Sequence, residues 1–204
     1  MDLGGNLAWI HLIYMKMILV TIIKLLTESA DGTPSYAGAL IPGKAVSCSV
    51  SPTNNSAELY ANDGLAESDY SWSKASVTMV IDKSDITTMG KLLGHTVTEA
   101  SGDTPATMLR NANDTAPYVG LGRIVTEMVE GVRQYTVEFL YKVKFSEPSQ
   151  DNSTKGESVE FATTEIEGTA SSLANGNWSI TSTFATKESA LTYLEGLLGT
   201  TPSV

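Results

Sequence analysis

The chain is short of the residue types that most often carry chemistry. It holds one cysteine and two histidines in 204 residues. A lone Cys48 excludes an intrachain disulfide framework. It alternates with Val46 and Val50 and reads as a small core residue, because free cysteine is among the most buried types. No histidine or basic cluster stands beside it to hold a reactive thiolate. His11 and His95 lie in no motif, and HExxH, GxSxG, GxxxxGKS and paired CxxC patterns are all missing. The chain is therefore read as a non-enzyme, with no catalytic, cofactor or metal residue assigned. For His95, just past a helix, the simplest role is an interaction with the last helical carbonyls. Positive charge is scarce as well: 13 Lys and Arg against 23 Asp and Glu leave a net charge of −10 and a pI near 4.6. This balance excludes ordinary phosphate-gripping nucleic-acid binding, which relies on Lys and Arg. It is compatible with a place beside DNA where sticking would be harmful.

What the sequence does have is two-residue periodicity. In residues 135–145, YTVEFLYKVKF, Tyr135, Val137, Phe139, Tyr141, Val143 and Phe145 fall on one side of an extended chain. Gln134, Thr136, Glu138, Lys142 and Lys144 fall on the other, with Leu140 the only exception. A helix would need spacings of three and four, so this is a strand, about 35 Å long at roughly 3.4 Å per residue. Residues 119–129 lead into it through the turn-like pair Glu130-Gly131, a polar loop at 146–156 follows, and residues 158–169 resume as a strand. The centre of the chain is thus a meander around one long ribbon.

Elsewhere the signals are shorter. Residues 7–26 are apolar apart from His11, Lys16, Thr21 and Lys24, and are about long enough for a membrane span. No positive residue precedes the run, no A-x-A-like cleavage pattern ends it, and Lys16 in mid-membrane would cost roughly 2.5–3.5 kcal/mol. Residues 17–26 are accordingly read as a first strand and residues 1–14 as an extension, with Met15 and Met17 as candidate downstream starts. The division is 1–26 as apolar extension plus first strand, 27–199 as one β domain, and 200–204 as a loose tail. Within the domain, 27–43 reads as a turn-rich connector and 44–51 as a strand ended by Pro52. Then come a polar turn at 53–56, a short strand at 58–61, an acidic loop at 62–71 and a strand at 72–81. Residues 84–93 have helical spacing, with Ser84 as N-cap and Gly94 just past the end. Residues 96–115 look polar and irregular. Asn175-Gly176 is a hairpin signal joining 165–173 to 178–184. A last helix has Thr186 as cap, Leu191, Leu194, Leu197 and Leu198 as its stripe, and Gly199 as its end. The sum is mainly β, about eight strands and two short helices. Glu147, Asp151, Glu157, Glu160, Glu165 and Glu167 crowd one stretch with Lys155 as lone counterion. Paired-carboxylate or cation chemistry could be built from such residues. The spacing matches no EF-hand loop, however, and a solvated face is the simpler reading.

Residues 142–168, KVKFSEPSQDNSTKGESVEFATTEIEG, resemble the major tail proteins of long-tailed, non-contractile bacteriophages, the subunits of the tail tube. Four further pieces agree in order: AELYANDGLAESD (57–69), LLGHTV (92–97), NDTAPYVGLG (113–122) and FATKESALTYLEGLLG (184–199). The likeness runs from about Ile41 to Gly199. The block F-S-E-P…T-K-G-E-S-V-E-F is its specific part, and the apolar extension before Met15 departs from the pattern. The resemblance implies an antiparallel β-sandwich or partial barrel with flanking helices. It also implies six-fold rings that stack into a tube, with a lumen through which DNA leaves the capsid. The implied partners are further copies of the chain, a tape measure protein, and terminator and distal tail proteins. The implied location is the virion, and the host cytoplasm before assembly, without a membrane. Related tubes of bacterial injection machines are close cousins of this reading.

Two expectations follow. Since duplex DNA carries one negative charge per roughly 1.7 Å of axis, an acidic wall would repel it, so some of Glu157, Glu160, Glu165 and Glu167 are expected to face the lumen. Lys142 and Lys144 run against this unless they pair with those acids across the sheet. The loops 146–156 and 62–71 are expected to carry ring-to-ring contacts, through Asp63, Glu67, Asp69, Glu147, Asp151 and Lys155. The rival from another class is a secreted or membrane-anchored β-sandwich adhesin held by residues 7–26. A carbohydrate-active β-sandwich enzyme comes third.

Overall fold

A computed structural model describes residues 17–41, 43–61, 64–82, 85–149 and 163–199. They form ten strands and two helices. The strands are β1 (Met17–Glu28), β2 (Pro34–Leu40), β3 (Ala45–Ala61), β4 (Gly64–Ile81), β5 (Thr96–Thr98), β6 (Thr107–Leu109), β7 (Val119–Val129), β8 (Val132–Phe145), β9 (Thr164–Ser171) and β10 (Ser179–Phe184). The helices are α1 (Ile86–Leu93) and α2 (Lys187–Leu197). One antiparallel sheet runs β2-β1-β7-β8-β9-β4-β3, with β10 also paired to β8; β5 and β6 make a separate small ribbon. The sheet curls without closing: β1 approaches β3, and β2 and β3 are the two ends of the path.

The central ribbon is where expected, joined to β7 by Glu130 and Gly131 with φ of 50° and 81°, the signature of a type I′ turn. It differs from a plain alternating strand in one respect. Val119 pairs with Val143 while Leu121 pairs with Leu140, so β8 carries one extra residue there, a β-bulge. Up to the bulge, Val137, Phe139 and Tyr141 lie on the side of α2; after it, Val143 and Phe145 face the opposite side. Leu140, the apolar exception among the polar positions, faces that opposite side by ordinary alternation, as Glu138 does, and the phase changes between Tyr141 and Val143.

Two cores result. One fills the inside of the curl, where Val77, Met79 and Ile81 of β4, Leu121 of β7 and Ile166 of β9 meet Met89, Leu92 and Leu93 of α1. Cys48 belongs to it, and burial pushes its thiol pKa up, away from reactivity. Val46, by contrast, is exposed, because a bulge between Ala45 and Ser47 turns it outward. The second core lies under α2, where Ala190, Leu194 and Leu198 cover Ile124, Val137 and Phe139. Two glycines let the helix and β2 approach the sheet closely. A Cβ on Gly122 would stand 2.3 Å from Leu194 Cδ1, and one on Gly120 would stand 2.5 Å from the Tyr36 ring. Lys24 is buried on this side, and its Nζ donates at 3.2 Å to the Leu198 carbonyl. This places a cation at the negative end of α2 and satisfies an orphan carbonyl.

Several sequence expectations need correction. The 27–43 connector contains β2. β3 does not end at Pro52 but runs through it, with Pro52 opposite Ala75. Proline is tolerated there because β3 is an outer strand of the sheet. The turn at 53–56 and most of the loop at 62–71 are strand, part of one long β3–β4 hairpin. The α1 cap is Asp85 rather than Ser84, its carboxylate accepting from the Thr88 N–H at 3.0 Å. Residues 96–115 include the β5–β6 ribbon. Asn175-Gly176 does turn the chain, with Leu173 N–H bonded to Asn177 O at 2.8 Å, but β9 and β10 then part. β10 pairs with β8 along residues 135–140, and β9 takes up the same edge of β8 along residues 142–145.

Gly94 ends α1 in the left-handed region at φ 79°, and a Cβ there would stand 2.2 Å from the Thr115 carbonyl oxygen. Gly94→Ala is expected to cost about 2–3 kcal/mol, the left-handed penalty plus a backbone collision. Thermal unfolding should show a fall in Tm of about 4–10 °C.

Candidate functional site

The structure places the candidate residues in three separate regions. The first is the outer face of β3, β4 and β9. Glu165 and Glu167 are exposed on β9, on the side away from Ile166 and the core. Across from them lie Val80 and Thr78 of β4, and beyond those Ser47 and Ser49 of β3. Ser51, Ser76 and Thr169 extend the same face. Alternation along three adjacent strands thus builds a surface of short hydroxyl side chains carrying two carboxylates. Lys144 of β8 continues this face, across from Thr169 and lining a cleft with Glu167, and Lys142 stands across from Ser171. Lys142 Nζ binds Glu28 Oε2 at 2.6 Å, and both lysine nitrogens lie over the Tyr118 ring, 4.8 and 5.4 Å from its centre. Among the described residues no ion pair joins either lysine to Glu165 or Glu167. Glu28 is held below the usual carboxylate range by the Lys142 bond and then by the Ala174 N–H. Glu157 and Glu160 lie outside the described residues.

The second region is the β3–β4 hairpin. From Ala75 to Ile81, β4 is paired on both edges, by β3 and by β9. Below that, residues 54–61 and 64–72 pair only with each other among the described residues. This two-stranded arm reaches about 25 Å at roughly 3.3 Å per residue. At its root, Trp72 stacks on Trp178 with ring centroids 4.9 Å apart and planes 14° apart. Glu67 and Asp69 belong to the β4 strand of the arm, opposite Leu59 and Ala57. Asp63 lies outside the described residues, as do Asp151 and Lys155.

Glu147 belongs to the third region, beside α1. The His95 ring lies between two carboxylates: Nδ1 is 2.7 Å from Asp114 Oδ2, and Nε2 is in close contact with Glu147 Oε1. Arg110 Nε stands 3.7 Å from the other oxygen of Glu147. The His95 backbone N–H, not its ring, bonds a helical carbonyl, that of Gly90 at 2.8 Å. The expected interaction of the ring with the helix end is therefore replaced by an acid–histidine–acid arrangement. The Asp114 hydrogen bond, followed by the Glu147 contacts, raises the His95 pKa against the opposing effect of burial, and His95 in turn lowers that of Asp114.

Inside the curl, Arg123 on β7 pairs with Glu138 directly across on β8, Nε to Oε2 at 2.6 Å. Its Nη1 also donates to the Cys48 carbonyl of β3, tying the middle of the sheet to its end strand. A cleft of about 180 Å³ beside it is lined by Val50, Pro52, Leu140 and Trp178. Nothing in these places pairs a nucleophile with a base. Among the described residues, no three His, Cys, Asp or Glu side chains are arranged to hold a metal ion.

Residues 17–26, half of the apolar run weighed as an anchor, are part of β1 and pair with β2 and β7. Among the described residues no helix is long and apolar enough to cross a membrane. The chain matches no model of a known protein family, and no curated protein matches it.

Proposed function

We propose that the chain is a tube-forming structural subunit of the phage tail type, six copies to a ring and rings stacked around a lumen that passes DNA. The observation that carries this reading is the β3–β4 arm. A two-stranded ribbon with no third strand is marginal in water by itself. An arm of this length is stable when it lies against another surface, and a second copy offers one. The sheet supports the same reading. Its path ends in two different strands, β2 and β3, whose outer edges pair with no further strand among the described residues. Unlike edges suit head-to-tail contacts that close into a ring. The face of hydroxyls with Glu165 and Glu167 is polar, as a wall that DNA slides past would be, while Lys74 and Lys144 on the same face run against a purely acidic wall. A ring structure with both carboxylates on the outer wall would remove this part of the proposal.

The partners the resemblance implies (tape measure, terminator and distal tail proteins) would meet the ends of such a tube. The location would be the virion, and the host cytoplasm before assembly. Negative-stain microscopy and sedimentation of the concentrated chain test the reading. Rings and tubes with a central channel are the expected result. Single compact particles at every concentration and salt condition would overturn it.

A further inference from the structure

The acid–histidine–acid arrangement around His95 joins three pieces of chain: the end of α1, the turn at 111–114, and the chain leaving β8. The His95 side chain is only 5 % exposed, against 18 % for Asp114 and 52 % for Glu147. A neutral imidazole has one N–H and one lone pair. Two carboxylate oxygens in contact with the two ring nitrogens therefore require both nitrogens to carry protons, since otherwise one lone pair would face another. The other charged groups nearby are Arg110, against Glu147, and Lys91, which pairs with Glu99 at 3.1 Å on the exposed side of α1. Imidazolium and Arg110 balance the two carboxylates.

We infer that His95 is a proton-operated clamp that holds the chain leaving β8 at Glu147 and lets it go when the ring becomes neutral. The release has a direction. Asp114 has a second tie, the Asn111 N–H at 2.8 Å, and a neutral ring keeps an N–H toward Asp114. Nε2 then offers a lone pair to Glu147, whose remaining partner is the half-exposed Arg110. Ser146 is fixed independently, its N–H bonded to the Glu167 carbonyl at 2.9 Å, so release begins at Glu147. Because the folded-state pKa of His95 lies above its ordinary 6.5, the clamp is complete below that pH and is lost as pH rises through the raised value. On the acid side the bond from the ring to Asp114 persists until Asp114 protonates, below its ordinary 3.8. The inference does not depend on tube formation.

The test is an NMR titration of the histidine rings, with the His95 signal identified by its loss in His95→Gln. A midpoint above 6.5 is expected, falling by about one unit in Glu147→Gln, a change on a half-exposed side chain that the fold should tolerate. The amide resonances of Glu147 and Ser149 should shift with the same midpoint, and in Glu147→Gln that titration should be lost. A His95 midpoint at or below 6.5, or one unchanged by Glu147→Gln, would overturn the clamp. So would Glu147 and Ser149 resonances that ignore the titration.

Discussion

Leu194→Ala is expected to lower the free energy of unfolding by about 3–4 kcal/mol, a large share of the roughly 5–15 kcal/mol typical of a domain. Leu194 is fully buried at the centre of α2, and its Cδ1 occupies the space that Gly122 leaves by having no side chain. The sheet surface around that space is fixed by pairing on both sides, Gly122 lying between Ile22 and Phe139, so it cannot collapse to fill a hole. Gly122→Ala alone should also destabilise, by about 1–3 kcal/mol, through collision with the leucine. Combined, the two changes should cost less than their sum by about 1–2 kcal/mol, because the new methyl occupies the vacated volume. Urea unfolding followed by circular dichroism measures all three variants. Strict additivity would show that α2 is not seated through this contact.

The second large effect concerns assembly. Replacing residues 56–70 by Asn-Gly would let Asn55 and Ser71, which already pair, flank a two-residue turn. The change keeps the Trp72–Trp178 stack and every strand pairing of the curled sheet. Its stability should therefore stay within about 1 kcal/mol of the parent in urea unfolding. Under conditions in which the full chain forms tubes, the shortened one should form none and sediment as single copies or single rings. Tubes of ordinary length from the shortened chain would show that the arm is not the contact between rings.

The long alternating run of β8 and the leucine stripe of α2 were legible because each depends on a local period set by one buried face. The β3–β4 arm was not. Pro52 is a correct stop signal for a central strand, and only the sheet order shows that β3 is an outer one, where a missing N–H costs little. Polar residues such as Asn54 and Asn55 look like a turn because an arm without a core behind it has no apolar side to display. Asn175-Gly176 predicted a turn correctly, but which strand β10 joins is a long-range matter: β8 leaves part of an edge free beyond β9, and β10 fills it. The same holds for His95. Its partners are 19 and 52 residues away in sequence, and the acid crowding that includes Glu147 gave no hint that one member turns toward a histidine.

The added residue in β8 has a consequence for how this family of shapes can vary in length. It works as a half-turn of phase: everything upstream keeps one orientation, and everything downstream takes the other. Removing one of the two residues between Leu140 and Val143 would leave a plain alternating strand, with Leu140, Val143 and Phe145 still on the core side and their pairing with β7 kept. Removing both would swing Val143 and Phe145 outward and drive Lys144 toward the oily interior. The strand thus tolerates the loss of one residue at this point but not of two, whereas the loop after Phe145 is under no such parity rule.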